Sequence, residues 1–259
     1  MYKLRINRER ALKAFNDYTT NYDTNNISVR LKIAHSYRVA EISERIAKTV
    51  INEQQVFPDF SWLLGLIHDI GRFEQITRYG TFKDALSVDH AELGANILFH
   101  DNLFDSFISV EEACVVAKDF QRMKVTAETA IRLHNKLKLP EKMEAHTNTY
   151  TKILRDADKA DIFRVLTEPP YNERNLKGLL ARDDVMRCVK GHRCVPRPAG
   201  DVKVNELEAL IAQCCMAFEL EYPESRLIVT EQGYLKKLLA QDSEQLSIVE
   251  AEIMKAWGK

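Results

Sequence analysis

Trp62-Leu63-Leu64-Gly65-Leu66-Ile67-His68-Asp69-Ile70-Gly71-Arg72 decides the fold. Six largely apolar residues, enough for about two helical turns, run straight into an imidazole beside a carboxylate. Gly71 reads as the stop signal, a residue free to take the left-handed conformation that closes helices. A buried helix ending in His-Asp sets two metal-type ligands where the wall of a core meets a cavity. A His-Asp pair alone is as a rule a solvated helix terminus, so its meaning depends on the rest of the chain.

Upstream, Leu31, His35, Val39, Ile42, Ile46 and Val50 recur at three- and four-residue steps from Ile27 to about Val50, one face of an amphipathic helix. His35 lies on that apolar seam. A lone seam histidine is more often a satisfied core residue than a ligand, so His35 stands as a candidate. A first helix is expected over Arg8 to Tyr18, and Ser61 is a candidate N-cap for the central helix. Downstream, Phe73 to Leu86 reads as irregular, with Gly80 and Thr81 marking a loop. Ser87 can cap a helix over Val88 to about Phe99, with His90 in its first turn. Asp101 to Val110 reads as a connection and Glu111 to about Met123 as another helix. Thr126 then opens a helix with Ala127, Ala130, Ile131, His134 and Leu137 on one side. The helix from about Thr147 to Leu166 has Leu154, Asp158, Asp161 and Val165 on its inward line. A carboxylate there is costly to bury unless a cation or strong donors meet it. Asp158 is the candidate, while Asp161 reads equally as a helix-to-helix hydrogen-bonding partner.

Further helical patterns cover Val204–Phe218, Glu231–Gln241 and Ser243–Trp257. Only Arg226-Leu227-Ile228-Val229-Thr230 has a strand pattern, and one short strand makes no sheet. The expectation is all-α, a single domain over residues 1–259. Nine glycines and seven prolines leave room for long helices, and 45% hydrophobic with 29% charged residues is ordinary for a globular protein. A net charge of −1 argues against a general nucleic-acid surface. No apolar run approaches the roughly 20 residues of a membrane span, and charges break up the first residues, against a secretory signal. Five cysteines, with Cys214 and Cys215 adjacent, do not form a disulfide framework. A reducing cytoplasm is the economical expectation. Cys188, His192 and Cys194 suggest a zinc set but lack a fourth ligand; His100 and His146 have no supporting pattern and are expected to be exposed.

Three helices thus put a ligand type on a buried face, at His35, His134 and Asp158. A fourth ends in His68-Asp69 and a fifth offers His90. Burying so many titratable groups without a charge partner would cost several kcal/mol. Two divalent cations resolve that cost, with four imidazoles and two carboxylates as ligands. Asp69 is the expected bridge, because its neighbour His68 lets one helix end reach both ions.

On His35, the His-Asp-Ile-Gly-Arg run at 68–72 and Asp158 within Leu154-Arg155-Asp156-Ala157-Asp158-Lys159-Ala160-Asp161, the chain resembles the HD-domain superfamily of metal-dependent phosphohydrolases. The resemblance covers about residues 27–166 and implies a helical bundle, with residues 171–259 as an appended helical extension. The mononuclear pattern of that superfamily would use His35, His68, Asp69 and Asp158. His90 and His134 stand where its binuclear branches carry extra ligands. The Gly-Tyr-Pro signature of the cyclic-di-nucleotide phosphodiesterase branch is absent, so that branch's substrate does not carry over.

Nitrogen-rich ligation suits Mn, Fe, Co, Ni or Zn better than Mg alone. Two ions sharing a water would lower its pKa toward neutrality and give a bound hydroxide. The expected activity is phosphatase or phosphodiesterase chemistry on a small phosphorylated molecule or nucleotide, with Asp69 as the catalytic bridge. Arg72, Arg38 and Lys159 are the candidate substrate-binding cations; for each the alternative is a surface or capping role. Two other readings stay open: a mixed-valent di-iron oxygenase on the same fold, and an inactive metal-binding regulatory module. No stable nucleic-acid or membrane partner is expected, and the C-terminal helices could serve a homodimer as well as a core.

Overall fold

The computed structural model describes residues 6–50, 56–109, 117–196 and 202–258. Among these the chain is helical and has no strand. It divides into two compact units, Met1–Asp158 and Lys159–Lys259. The division falls inside one long helix.

The first unit starts with α1 (Arg8–Thr19), capped by the Asn7 side chain, and α2 (Ile27–Thr49), capped by Asn26. Next come α3 (Pro58–Ile67), α4 (Ile70–Tyr79), α5 (His90–Ala95), α6 (Phe104–Phe107), α7 (Ala117–Leu133) and α8 (Ala145–Val165). The most extensive packing among the described elements is α2 on α3. Gly65 makes it possible: a Cβ there would lie 2.7 Å from both the Ala40 Cα and the Val39 carbonyl oxygen. The backbones therefore approach as closely as two small residues allow. Val39, Ile46, Leu63 and Leu66 are buried around this approach; each large aliphatic side chain contributes about 1.5–3 kcal/mol by leaving water. One turn from the contact on either helix stand His35 and His68, whose ring centroids are 5.3 Å apart.

Several local expectations are corrected. Gly71 does not close a helix. It lies in the first turn of α4 without a positive φ, and its lack of a side chain serves contact instead: a Cβ would meet the His90 carbonyl oxygen at 2.3 Å and the Gly94 nitrogen at 2.6 Å. Most of Phe73–Leu86 is helical, because α4 runs to Tyr79 before Gly80, at φ 65°, ends it in the left-handed conformation. Ser61 is buried inside α3, which starts at Pro58, a residue suited to a first helical position. Asp89 rather than Ser87 caps the helix of His90, accepting from the Ala91 and Glu92 amides, and that helix passes into a π-turn at Asn96–His100. Thr126 opens nothing: α7 runs through it, and its buried hydroxyl bonds to that of Thr147 at 3.0 Å. The start of the helix expected from Glu111 lies outside the described residues.

The second unit holds α9 (Asp183–Lys190), α10 (Glu206–Cys214), α11 (Pro223–Gln232), α12 (Tyr234–Leu239) and α13 (Glu244–Ala256). Its core includes Leu207, Leu210, Ile211, Leu238, Leu246, Val249 and Ile253. Asn205 and Glu208 form a reciprocal cap at the start of α10. The strand pattern at Arg226–Thr230 lies within α11; Ile228 and Val229 are buried one turn after buried Ser225, so packing overrides local preference. Cys194 donates to the Cys215 carbonyl and His192 pairs with Glu252 at 2.7 Å. His100 is exposed as expected, whereas His146 is half-buried against Tyr150. No described helix is long and apolar enough to cross a membrane.

Candidate metal centre

Five elements of the first unit deliver the candidate ligands to one place: α2 brings His35, the α3–α4 junction His68 and Asp69, α5 His90, the end of α7 His134, and α8 Asp158. All six carry their side chains in the interior.

Asp69 stands between two groups of donors. Its Oδ2 faces His35 Nε2 at 3.6 Å and His68 Nε2 at 3.5 Å. Asp158 Oδ1 completes that group, 3.1 Å from His35 Nε2 and 3.6 Å from His68 Nε2. The other oxygen, Oδ1, faces His90 Nε2 at 3.4 Å and His134 Nε2 at 3.7 Å. Those two nitrogens are 3.0 Å from each other. Donors held about 2.1 Å from one ion are roughly 3.0 Å apart at right angles and 3.4 Å apart at tetrahedral angles. The separations in the two groups run from 3.0 to 3.7 Å, at that spacing or a few tenths of an ångström beyond it.

The protonation pattern follows from the partners. His68 Nδ1 lies 2.7 Å from the Gly65 carbonyl and His134 Nδ1 2.7 Å from the Ile131 carbonyl. A carbonyl only accepts, so both Nδ1 atoms carry hydrogen and donate. His90 Nδ1 donates to Asp84, at 3.0 and 2.9 Å from its two oxygens. Each imidazole therefore turns Nε2 inward, the arrangement in which a second partner fixes a metal-binding tautomer. The His90–His134 contact then sets two lone pairs against each other, which calls for a positive charge between them. His68 Nε2 and Asp69 Oδ1 are buried with no hydrogen-bond partner, a costly state for polar atoms.

The electrostatics agree. Burial alone would lower His68, but the Asp69 and Asp158 carboxylates outweigh it and raise its imidazole to about 10. At 3.5 and 3.6 Å those oxygens are too far for good hydrogen bonds, so the positive charge they demand fits an ion better than a proton. Burial would raise Asp69 and Asp158. For Asp69 the charges of Lys32 and His68 reverse this, and for Asp158 His35 and His68 do, holding both well below the usual carboxylate range. His90 is pushed down to about 4 by burial and then by the charge of Arg72, which keeps it neutral. The donor set therefore fits divalent ions of the nitrogen-binding kind.

Several contributors have no sequence signature. Asp84, beside His90, is bound by Arg72 Nη1 and Gln75 Nε2, each at 3.0 Å. Buried Gln75 also donates to Ser87 Oγ and the Val88 carbonyl, fixing the loop that carries Asp84. Arg155 donates to the Leu133, His134 and Lys136 carbonyls, closing the chain end that presents His134. Lys32, one turn before His35, places Nζ 2.5 Å from Asp69 Oδ2. Its i−3 spacing from His35 was the available signal; Asp84 had none.

Of the expected substrate cations, Arg72 is mostly buried. Its Nη1 donates to Gln75, the Phe82 carbonyl and Asp84, while Nε lies 3.6 Å from Asp69 Oδ1. Arg38 is half-buried one turn past His35. Lys159 pairs with Glu219 at 2.9 Å within the second unit.

A family model of the HD domain matches residues 33–162, half of the chain and the span of all six candidate ligands. The chain belongs to the HD domain family. That places it in a superfamily of metal-dependent hydrolase type, and its His/Asp clusters are of a kind that could hold metal. No curated protein and no solved structure matches it.

Proposed function

We propose that this protein is a metal-dependent phosphohydrolase with a two-ion centre, acting on the phosphate ester of a small molecule or nucleotide. The observation that carries this reading is the position of Asp69, with one oxygen toward His35, His68 and Asp158 and the other toward His90 and His134. In this reading Asp69 would be the carboxylate shared by the two donor groups, each of which would hold one ion. When bound, such ions supply an activated water and stabilise charge on a phosphoryl group. The Nδ1 partners of His68, His90 and His134 set the tautomer that offers Nε2 as the ligand atom. Two divalent ions against two carboxylates leave a charge of about +2, which favours an anionic substrate. Arg72 adds positive charge beside Asp69 while its three acceptors keep it in place. Mn, Fe, Co and Ni suit the ligands better than Mg alone.

The test joins elemental analysis to a screen of phosphorylated metabolites with Mn²⁺, Co²⁺ and Fe²⁺. About two ions per chain and metal-dependent phosphate release, both lost in Asp69→Ala, are expected. Oxygen consumption with a mixed-valence EPR signal and no phosphate release would replace this reading by the oxygenase one. Metal uptake without turnover on any substrate would favour a regulatory module.

A further inference from the structure

Lys32 has no part in the reading above, yet it makes the shortest charged contact to the bridging carboxylate. Its side chain is 11% exposed, and its ammonium lies 2.5 Å from Asp69 Oδ2. That is the oxygen turned toward His35 and His68. An ammonium at this distance and a divalent ion on the same oxygen repel each other and compete for the same lone pairs, so the two positions exclude one another.

The surroundings offer the ammonium another place. Lys32 Nζ is 5.7 Å from the centroid of the half-buried Phe82 ring, and the Arg72 guanidinium is 5.6 Å from the same ring. Arg72 is fixed by three acceptors through Nη1. Lys32 instead carries its charge on a flexible four-carbon stem, and its acceptor among the described residues is Asp69. A rigid cation and a movable one thus flank one aromatic ring beside the bridge.

We infer that Lys32 is a displaceable counter-ion that becomes a substrate-binding residue: it neutralises Asp69 before metal binds, and after metal binds it contacts the anionic oxygens of the phosphoryl group. This rests on the two-ion phosphohydrolase reading. It predicts opposite dependence on metal for two properties of one side chain. Stability should depend on Lys32 only in the metal-free protein, and phosphate affinity should depend on it in the metal-loaded protein.

The test uses the full chain as wild type, Lys32→Met and Lys32→Arg, with Mn²⁺ as the metal and inorganic phosphate as the probe. Thermal melts are recorded with and without Mn²⁺, and both ligands are titrated by calorimetry. Lys32→Met is expected to melt lower than wild type without metal and together with it when loaded. It should bind Mn²⁺ at least as tightly, and phosphate about 10- to 100-fold more weakly, the range for losing one charged hydrogen bond. Lys32→Arg, which keeps the charge, should restore most of the phosphate affinity. Equal phosphate affinity in wild type and Lys32→Met would overturn the inference and leave the functional reading standing. Weaker Mn²⁺ binding in Lys32→Met would overturn it too, since a competitor's removal cannot weaken its rival. A loaded wild type that binds no phosphate would remove both.

Discussion

Replacing Gly71 by alanine puts a methyl group where two helices already touch. The new Cβ would lie 2.3 Å from the His90 carbonyl oxygen and 2.6 Å from the Gly94 nitrogen, both backbone atoms of α5. Ordinary contact needs about 3.4 Å, so α5 must withdraw from α4 by about 1 Å. No rotamer change can relieve the clash, because neither obstacle is a side chain. Overpacking of this kind costs about 1–3 kcal/mol. The displaced helix carries His90, whose Nε2 must stay near both His134 Nε2, at 3.0 Å, and Asp69 Oδ1, at 3.4 Å. Affinity at that half of the centre should fall at least as far as when a ligand's supporting partner is lost, about 10- to 100-fold. Melting curves and Mn²⁺ calorimetry on the same preparation read both effects. Gly80→Ala is the control: its φ is 65° and a Cβ there meets nothing within 4 Å, so it should cost about 1–2 kcal/mol and leave metal binding alone. A Gly71→Ala protein with unchanged melting and two unweakened ions would refute the reasoning.

Asp84→Asn keeps the shape beside His90 but removes the charge that receives its Nδ1 proton, and should weaken one of two metal-binding steps about 10- to 100-fold by calorimetry. Arg155→Met removes the donor that closes the chain end behind His134; a loss of about 1–3 kcal/mol in urea unfolding is expected, with weaker uptake of one ion. Chelation should lower the melting temperature reversibly, since an ion at 100 times its Kd stabilises by about 2.7 kcal/mol; melting indifferent to chelator would contradict a buried ion site. His134→Ala should reduce bound metal from about two ions toward one, as measured by elemental analysis.

The helices of the first unit were legible because burial imposes a period. The seam of α2 carried His35 inward with Val39 and Ile46, and α8 carried Asp158 inward with Leu154. What periodicity could not show was why helices meet where they do. Gly65 looked like one more residue in an apolar run, and Gly71 like a helix terminator. Both prove to be points of backbone contact, and that depends on a partner helix remote in sequence. The same reason hid Asp84, Gln75 and Arg155. Each acts on a ligand through folding of the intervening chain, and a polar residue in a loop carries no period. In the second unit the run Arg226–Thr230 has a local strand pattern, yet Pro223 before it and Gly233 after it bound a helix.

The most direct measurement is anomalous diffraction from crystals of the Mn²⁺-loaded protein at wavelengths on either side of the metal edge. Two peaks astride Asp69 are expected, one among His35, His68 and Asp158 and the other beside His90 and His134. One peak alone, or two that share no oxygen-bearing side chain, would contradict the two-ion reading.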